Sequence, residues 1–340
     1  MSLSTPRSLS LPLTLARFSS SSPSPDFSHL PGARTPKRSS SSPRNLRIPS
    51  PDAARVALNH CVDLVKKHDK ASYLATLLMP PKAQPHVFAL LAANVEIALT
   101  RDKVSSVSTT AMYRLKFWRD TFSAIYKGEG LVPQQPVATA LVAFARSSSF
   151  DLLDQLAATR QRTIGDRPFN TMQEVYAYGR DSTGALIRLQ TQALRHAAGG
   201  DEKTTSDEAI DRLAEAHAAL TLVRSAGPFT LRRVVLLPEE ILVGEGITPN
   251  NVVSGKNPEK LQAAVKRLVE MGSSRLDSSR LLRASVPRGE RAALWATAAQ
   301  CEHVVKSAAK AKYDIRSQLL QRPRALMAWR LLGWRMSGGY

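Results

Sequence analysis

The sequence predicts an all-α protein, with one helical domain over residues 51–340 behind an unfolded leader over residues 1–50. From Pro51 onward, apolar residues recur every three or four positions, which is the period of a helix with one buried face. No stretch alternates apolar and polar residues for long enough to form a sheet. The segment "RRVVLLP" at 232–238 is the only β-like piece, and Pro238 ends it.

The leader is rich in serine, proline and arginine and holds a single acid, Asp26. Fifteen serines and eight prolines among these residues leave too few apolar side chains for a core. Arg- and Ser-rich, acid-poor composition is typical of a mitochondrial or plastid transit peptide. The alternative is a disordered tail without a targeting role. A secretory signal is disfavoured because Pro12 interrupts the short apolar run "LSLPLTLARF".

The first helix is predicted to begin at Pro51, because Ser50 can cap it and proline suits a first helical turn. Turn-forming stretches such as "MPPKAQP", "KGEGLVPQQP" and "SVPRGE" separate it from the later helices. The later segments of helical period lie at about 85–100, 108–127, 135–146, 150–163, 171–195, 206–225, 258–272, 289–320 and 323–336.

The segment "MYRLKFWRDTFSAIY" at 112–126 shows the helical pattern clearly. Lys116 and Asp120 stand four positions apart and are expected to pair on one face. The apolar residues on another face are expected to point into the core. These residues are Leu115, Trp118, Phe122 and Ile125.

The formal net charge of +19 favours an anionic partner, which leaves nucleic acid, an anionic membrane surface or a diphosphate. Nucleic-acid binding is disfavoured because lysine and arginine are dispersed rather than clustered with aromatic residues. No apolar run approaches the roughly 18 residues that a membrane span needs.

Several kinds of site are excluded or disfavoured by their missing patterns. The chain has no GxSxG, no HExxH and no P-loop, and its paired glycines are interpreted as turns. His217 and Glu215 stand two positions apart, so they point to different faces of a helix and do not suggest a zinc site. Cys61 and Cys301 form no CxxC pair and are predicted to be buried thiols, as in a reducing compartment.

Four segments carry a family resemblance. They are "CVDLVKKHDKASYLATLLMP" (61–80), "FALLAANVEIALTRDKVS" (88–105), "RLKFWRD" (114–120) and "RPFNTMQEVYAYGRDSTGALIRL" (167–189). In this order they resemble the squalene/phytoene synthase family, and more closely its mitochondrial branch, the complex I assembly factor 6 proteins. The resemblance covers most of residues 55–240. It implies an isoprenoid-synthase-like helical bundle around a central cavity.

Active members of this family condense two prenyl diphosphates, which Mg²⁺ ions hold through acidic motifs on two facing helices. Carboxylates four positions apart lie on one face of a helix, so a DxxxD motif can bind such an ion. Here Glu96 and Asp102 are six positions apart, which separates them by about 120° around a helix. By the resemblance, Asp102 matches the last acid of the first motif, but Ala98 stands four positions earlier.

The second acidic motif is predicted to be lost. The resemblance implies a pattern like NxxRDxxED, and the matching stretch is "TLVRSAGPFTLRRVVLLP" at 221–238. Arg224, Arg232 and Pro238 keep their places, and Pro228 is expected to end or kink the helix. The positions of the motif's asparagine and acids hold Thr221, Ser225, Pro228 and Phe229. We therefore expect no catalytic residue, no metal site and no cofactor, with Mg²⁺ required only if prenyl transfer survives.

The cavity implied by the family could persist as a vestigial diphosphate site. Arginine binds phosphate through its planar fork, and several arginines could line the cavity mouth. The alternative is that these arginines are exposed or paired with Glu96, Asp102, Asp120 and Asp181. The candidate site comprises Glu96, Arg101, Asp102, Arg114, Arg160, Tyr178 and Arg224, with Arg180 as a further arginine of the mouth.

The segment "RPRALMAWRLLGWRMSGGY" at 322–340 mixes tryptophan with arginine. This mixture suits a helix that lies in the interface of an anionic membrane. The alternative is a last helix that docks on the bundle with its arginines in water. The candidate membrane contacts are Trp329, Arg330, Trp334 and Arg335.

The resemblance implies a non-catalytic assembly factor for mitochondrial respiratory complex I. It is expected to act early, from the matrix side of the inner membrane, as a peripheral protein. Its expected partners are assembly intermediates or a membrane-embedded core subunit, with anionic lipid and without nucleic acid. Two alternatives remain open: a prenyltransferase of isoprenoid biosynthesis, and a module that binds lipid or isoprenoid diphosphate.

Overall fold

The computed structural model describes residues 48–102, 108–165, 167–200, 207–322 and 326–340, without the side chains of residues 101, 102 and 108. Apart from residues 48–50, the predicted leader lies outside these ranges. The described residues form helices joined by turns, with no strand among them, which confirms the all-α fold.

The α-helices follow in chain order. The first seven are α1 (Pro51–His68), α2 (Lys70–Leu77), α3 (Gln84–Asp102), α4 (Ser108–Tyr126), α5 (Pro136–Phe144), α6 (Phe150–Arg162) and α7 (Met172–Gly179). A π-helical turn (Arg180–Gly184) then leads into α8 (Ala185–Ala197). The remainder are α9 (Asp207–Leu231), α10 (Glu239–Gly244), α11 (Pro249–Ser254), α12 (Pro258–Leu281), α13 (Ala292–Lys310) and α14 (Met327–Ser337).

Helix α9 lies at the centre of the bundle and packs against α7, α12 and α13. Its neighbours approach closely because small residues stand at the contacts. A Cβ atom on Gly179 would meet the Ala214 carbonyl oxygen at 2.5 Å, and Gly272 of α12 also faces α9 without room for a larger side chain. On α9 itself, Gly227 faces the Ile315 carbonyl oxygen so closely that an added methyl group would overlap it.

The local predictions on the first helices are confirmed. Ser50 caps α1 by accepting a hydrogen bond from the Ala53 amide at 3.3 Å. Lys116 donates to Asp120 at 2.8 Å on the exposed side of α4. The four residues predicted to face the core are buried: Leu115, Trp118, Phe122 and Ile125.

Both cysteines are free and buried, as expected. Burial raises the pKa of each thiol to about 12. The nearby charge of Glu96 adds to this effect on the pKa of Cys61. The thiols therefore stay protonated and act as small apolar residues.

Two predictions about the later elements are wrong. The helix expected over 289–320 ends at Lys310, because Lys312 and Tyr313 adopt left-handed backbone conformations with φ near 49° and 62°. Helix α9, expected to end at about residue 225, continues to Leu231, and Pro228 lies inside it rather than ending it. The β-like segment 232–238 forms no strand, in agreement with the all-α prediction, and Arg233 within it also has a positive φ of 61°. The short helices α10 and α11 were not predicted.

The close contact at Gly227 generates a test of the packing around α9. Gly227→Ala should lower the free energy of unfolding by at least about 2 kcal/mol, because the added methyl group overlaps backbone that cannot move alone. The matched control is Gly289→Ala, since a Cβ atom at that position meets nothing within 4 Å. Urea denaturation of the three proteins gives the comparison, and equal midpoints would contradict the packing described here.

Candidate functional site

The first acidic region lies on one uninterrupted helix. Helix α3 runs from Gln84 to Asp102 without a break, so Glu96 and Asp102 stand about 120° apart around its axis. Glu96 is half-buried, and Ala98 is exposed. Arg101 and Asp102 were also predicted to belong to the site, but their side chains lie outside the described part of the structure. The backbone alone therefore argues against a shared metal ion at Glu96 and Asp102.

The second region lies on α9 and carries no acid at the motif positions. Thr221, Ser225 and Phe229 are half-buried, whereas Pro228 is exposed. The Ser225 hydroxyl donates to the Leu222 carbonyl at 3.2 Å, so it bonds its own helix. Within the described side chains, no group of three or more His, Cys, Asp and Glu is placed to hold a metal ion.

Arg160 points between α6 and α3, where it meets neutral groups. Its guanidinium donates to the Asn94 side-chain oxygen at 2.7 Å and to the Leu156 carbonyl at 3.3 Å. Burial lowers the pKa of Arg160, and the neighbouring Tyr178 acts in the opposite direction. None of the described carboxylates forms an ion pair with Arg160. The structure thus brings two predicted site residues together, Arg160 and Tyr178. The hydrogen-bond acceptors of the Arg160 guanidinium are neutral groups.

The other predicted arginines lie elsewhere. Arg114 is exposed on α4, and Arg224 is exposed on α9. Arg180 contacts Glu215 at 2.5 Å. The acids proposed as alternative partners pair with other cations: Asp120 with Lys116, and Asp181 with Arg162 at 2.9 Å.

A buried carboxylate, Glu215 of α9, holds three arginines from different helices. Arg180 and Arg212 approach it at 2.5 and 3.3 Å, and Arg275 of α12 approaches it at 3.4 Å. Arg275 also lies over the Tyr176 ring, with its guanidinium carbon 4.6 Å from the ring centre. Each of the three arginine side chains is about one third exposed, which lowers the cost of placing the charges there. This cluster joins α7, α9 and α12.

A polar network around His217, on the other side of α9, was not foreseen from the sequence. Since the Gln300 side-chain oxygen can only accept, the His217 Nε2–H donates to it at 3.1 Å. His217 Nδ1 then accepts from the Thr183 hydroxyl at 3.0 Å. Gln300 in turn donates to Asp69 at 3.4 Å. Burial lowers the pKa of His217, although the hydrogen bond that His217 donates to Gln300 opposes this.

The network explains why His217 is better suited to structure than to catalysis. A neutral imidazole with both nitrogens engaged has no free lone pair to accept a proton from a substrate. The other members of the network come from three elements: Thr183 from the π-helical turn, Gln300 from α13, and Asp69 from the junction of α1 and α2. The prediction that His217 and Glu215 face different ways is confirmed by their different partners.

Of the predicted membrane contacts on α14, two face the bundle and two face outward. Arg330 pairs with the buried Glu302, and its guanidinium lies 5.0 Å from the ring centre of the half-buried Trp334. Trp329 and Arg335 are exposed. Among the described helices, none is both long enough and apolar enough to cross a bilayer.

Comparison with known proteins gives two kinds of relative. A mouse (Mus musculus) protein named "NADH dehydrogenase (ubiquinone) complex I, assembly factor 6" is 26% identical over 83% of this chain and 86% of its own length. The chloroplastic phytoene synthase of carrot (Daucus carota) is 22% identical over 76% of this chain and 65% of the enzyme.

Solved structures agree with the fold. A crystal structure of a dehydrosqualene synthase in complex with a ligand superposes with a TM-score of 0.70, at 17% identity. The superposition covers 84% of this chain and 97% of that enzyme. The sequence model of squalene/phytoene synthases matches residues 65–329, a range that includes both the α3 and the α9 regions. With the match spanning most of the helical domain, the chain belongs to the squalene/phytoene synthase family.

Proposed function

We propose that this chain assists the assembly of respiratory complex I and does not catalyse prenyl transfer. The similarity to the mouse assembly factor extends over more of both chains than the similarity to the carrot enzyme does. This difference favours the assembly role over an enzymatic one within the same family.

The observation that carries the non-catalytic part of the proposal is the composition of α9. Prenyl transfer by the family's route needs Mg²⁺ to neutralise the leaving diphosphate, and Mg²⁺ needs carboxylate oxygens. The four positions that match the second motif offer a hydroxyl, a hydroxyl, a proline and a phenyl ring. Asp102 on α3 would have to hold the ions without acids at these four positions of α9.

The place of action that we propose is the matrix face of the mitochondrial inner membrane, at an early step of assembly. The acid-poor leader supports import, and the net charge of +19 supports attraction to an anionic membrane surface. The partners would be assembly intermediates or a membrane-embedded core subunit of complex I. Attachment would be peripheral.

Deleting the gene should reduce the amount of assembled complex I on native gels. The full chain supplied in trans should restore it, since the defect would lie in assembly rather than in the subunits. Complex III in the same membranes provides the control, because a general loss of respiratory complexes would have another cause. A deletion strain with normal complex I would overturn the proposed function.

The purified chain should not convert farnesyl or geranylgeranyl diphosphate in the presence of Mg²⁺, because the four positions of α9 that match the second motif hold no acid. Product formation is followed by mass spectrometry, with an active phytoene synthase as the positive control. Turnover by the wild-type chain that is lost in Asp102→Asn would show that the acidic region on α3 is enough for prenyl transfer. The chain would then be an enzyme.

A second candidate function, the binding of an anionic lipid or isoprenoid diphosphate, is favoured by Arg160. Among the described residues, this half-buried cation donates hydrogen bonds to an amide oxygen and a carbonyl oxygen and to no carboxylate, and such an uncompensated charge attracts an anion. The guanidinium fork suits a diphosphate. This function is compatible with a role in assembly.

Farnesyl diphosphate should therefore raise the melting temperature of the chain by several degrees, as expected for binding at about 100 times Kd. Arg160→Gln should abolish the shift, because the amide keeps hydrogen-bonding capacity but not charge. Arg162→Gln is the matched control, since Arg162 lies on α6 like Arg160 but is exposed and already pairs with Asp181 of the π-helical turn. An equal shift in wild type and Arg160→Gln would exclude Arg160 from the binding site.

A further inference from the structure

Helix α14 has two apolar faces, of which only one is covered by the bundle. Leu331 on the inner face is fully buried, and Trp334 packs beside it. On the outer face, Met336 is 83% exposed, Trp329 72% and Leu326 66%. Water-facing positions of a surface helix are normally polar, so this apolar outer face is unusual.

The outer face is contiguous along the helix. At about 100° per residue, Leu326, Trp329, Leu332 and Met336 fall within an arc of about 120°. Arg335 borders this arc and is exposed. We call these four apolar residues the outer stripe. The spacing places Trp329 and Met336 near its middle.

The bundle holds α14 so that the outer stripe cannot turn inward. Arg330 bonds the buried Glu302, which also pairs with Lys306 at 2.8 Å. At the other end, the Trp295 ring nitrogen donates to the Gly339 carbonyl at 3.0 Å. The Tyr340 hydroxyl donates to the Ser279 carbonyl, also at 3.0 Å. Exposure of the stripe is therefore a property of the folded bundle.

Cations are frequent in the sequence of α14 and near the turn that ends this helix. Residues 321–340 contain four arginines and no acid. Where α14 ends, Arg291 donates to the Gly338 carbonyl at 2.5 Å. The exposed Arg283 and Arg288 lie near the same turn. A Cβ atom added to Gly339 would lie 3.7 Å from a guanidinium nitrogen of Arg283, and one added to Gly338 would lie 3.9 Å from a guanidinium nitrogen of Arg288.

We propose that the outer stripe and its arginines dock this protein on an anionic lipid bilayer, with Trp329 and Met336 inserted into the interface. Tryptophan and aliphatic side chains gain from the boundary between headgroups and acyl chains, and arginines gain from the negative surface potential. A bilayer satisfies both the apolar arc and the cations at its border. The inference rests on the peripheral attachment proposed above and assigns it to one surface.

The test is binding of the purified full chain to vesicles of phosphatidylcholine with roughly 20% cardiolipin. In the variant Trp329→Ser with Met336→Ser, the partition coefficient should fall at least about tenfold. The matched control is Leu131→Ser with Val243→Ser, two residues that are 84% and 75% exposed and lie outside α14. This control should bind within about twofold of wild type, because surface changes away from the docking face cost little.

All three proteins keep the basic leader, so the comparison isolates the stripe. Equal melting temperatures would show that the exposed substitutions leave the fold intact. Equal vesicle binding by the α14 variant and the control would overturn the proposal. So would a variant that binds vesicles normally yet fails to restore complex I in the deletion strain, since the stripe would then contact a protein.

Different results would overturn the proposed function and the proposed docking surface. A deletion strain with normal complex I removes the assembly role, while the vesicle comparison still decides whether the stripe binds lipid. A deletion strain that lacks complex I, together with α14 variants that bind vesicles like wild type, removes the surface and leaves the assembly role standing.

Discussion

The close approach of α7, α12 and the segment after α13 to α9 is the constraint on which the rest of the bundle depends. Gly179 and Gly227 allow backbones to approach where any side chain would separate them, and Gly272 leaves room for the Leu220 side chain. The same spacing brings Arg180 and Arg275 within reach of a carboxylate on α9. It also places His217, on another side of α9, against the π-helical turn and α13. Packing and polar contacts thus support each other.

Much of the fold could be predicted because apolar residues recur with a clear helical period in the sequence of long helices. What failed has local causes. Helices α10 and α11 are only 6 residues long, too short to show a period. The end of α13 depends on Lys312 and Tyr313 in left-handed conformations, which neither residue type signals. The segment 232–238, although β-like in composition, forms no strand, as the all-α prediction implies, since the described elements include no strand for it to pair with.

The candidate site was less predictable, because spacing tells which residues share a face but not which cation meets which acid. Asp181 pairs with Arg162 rather than with a predicted site arginine. Asn94 and His217 were not assigned a role, although each is a polar residue inside an apolar run, which is a signal that could have been used. The docked arrangement predicted for the C-terminal helix does not exclude a membrane contact, because α14 packs on the bundle and still presents apolar residues outward.

The cluster around Glu215 has a consequence for how this sequence can change over time. Its three arginines are separated by up to 95 positions in the chain, from Arg180 to Arg275, yet they depend on one carboxylate. Loss of Glu215 alone would leave three guanidinium groups facing one another, whereas loss of any single arginine leaves the carboxylate paired. Substitutions at the arginines can therefore accumulate one at a time, and Glu215 should be the last member of the cluster to be replaced.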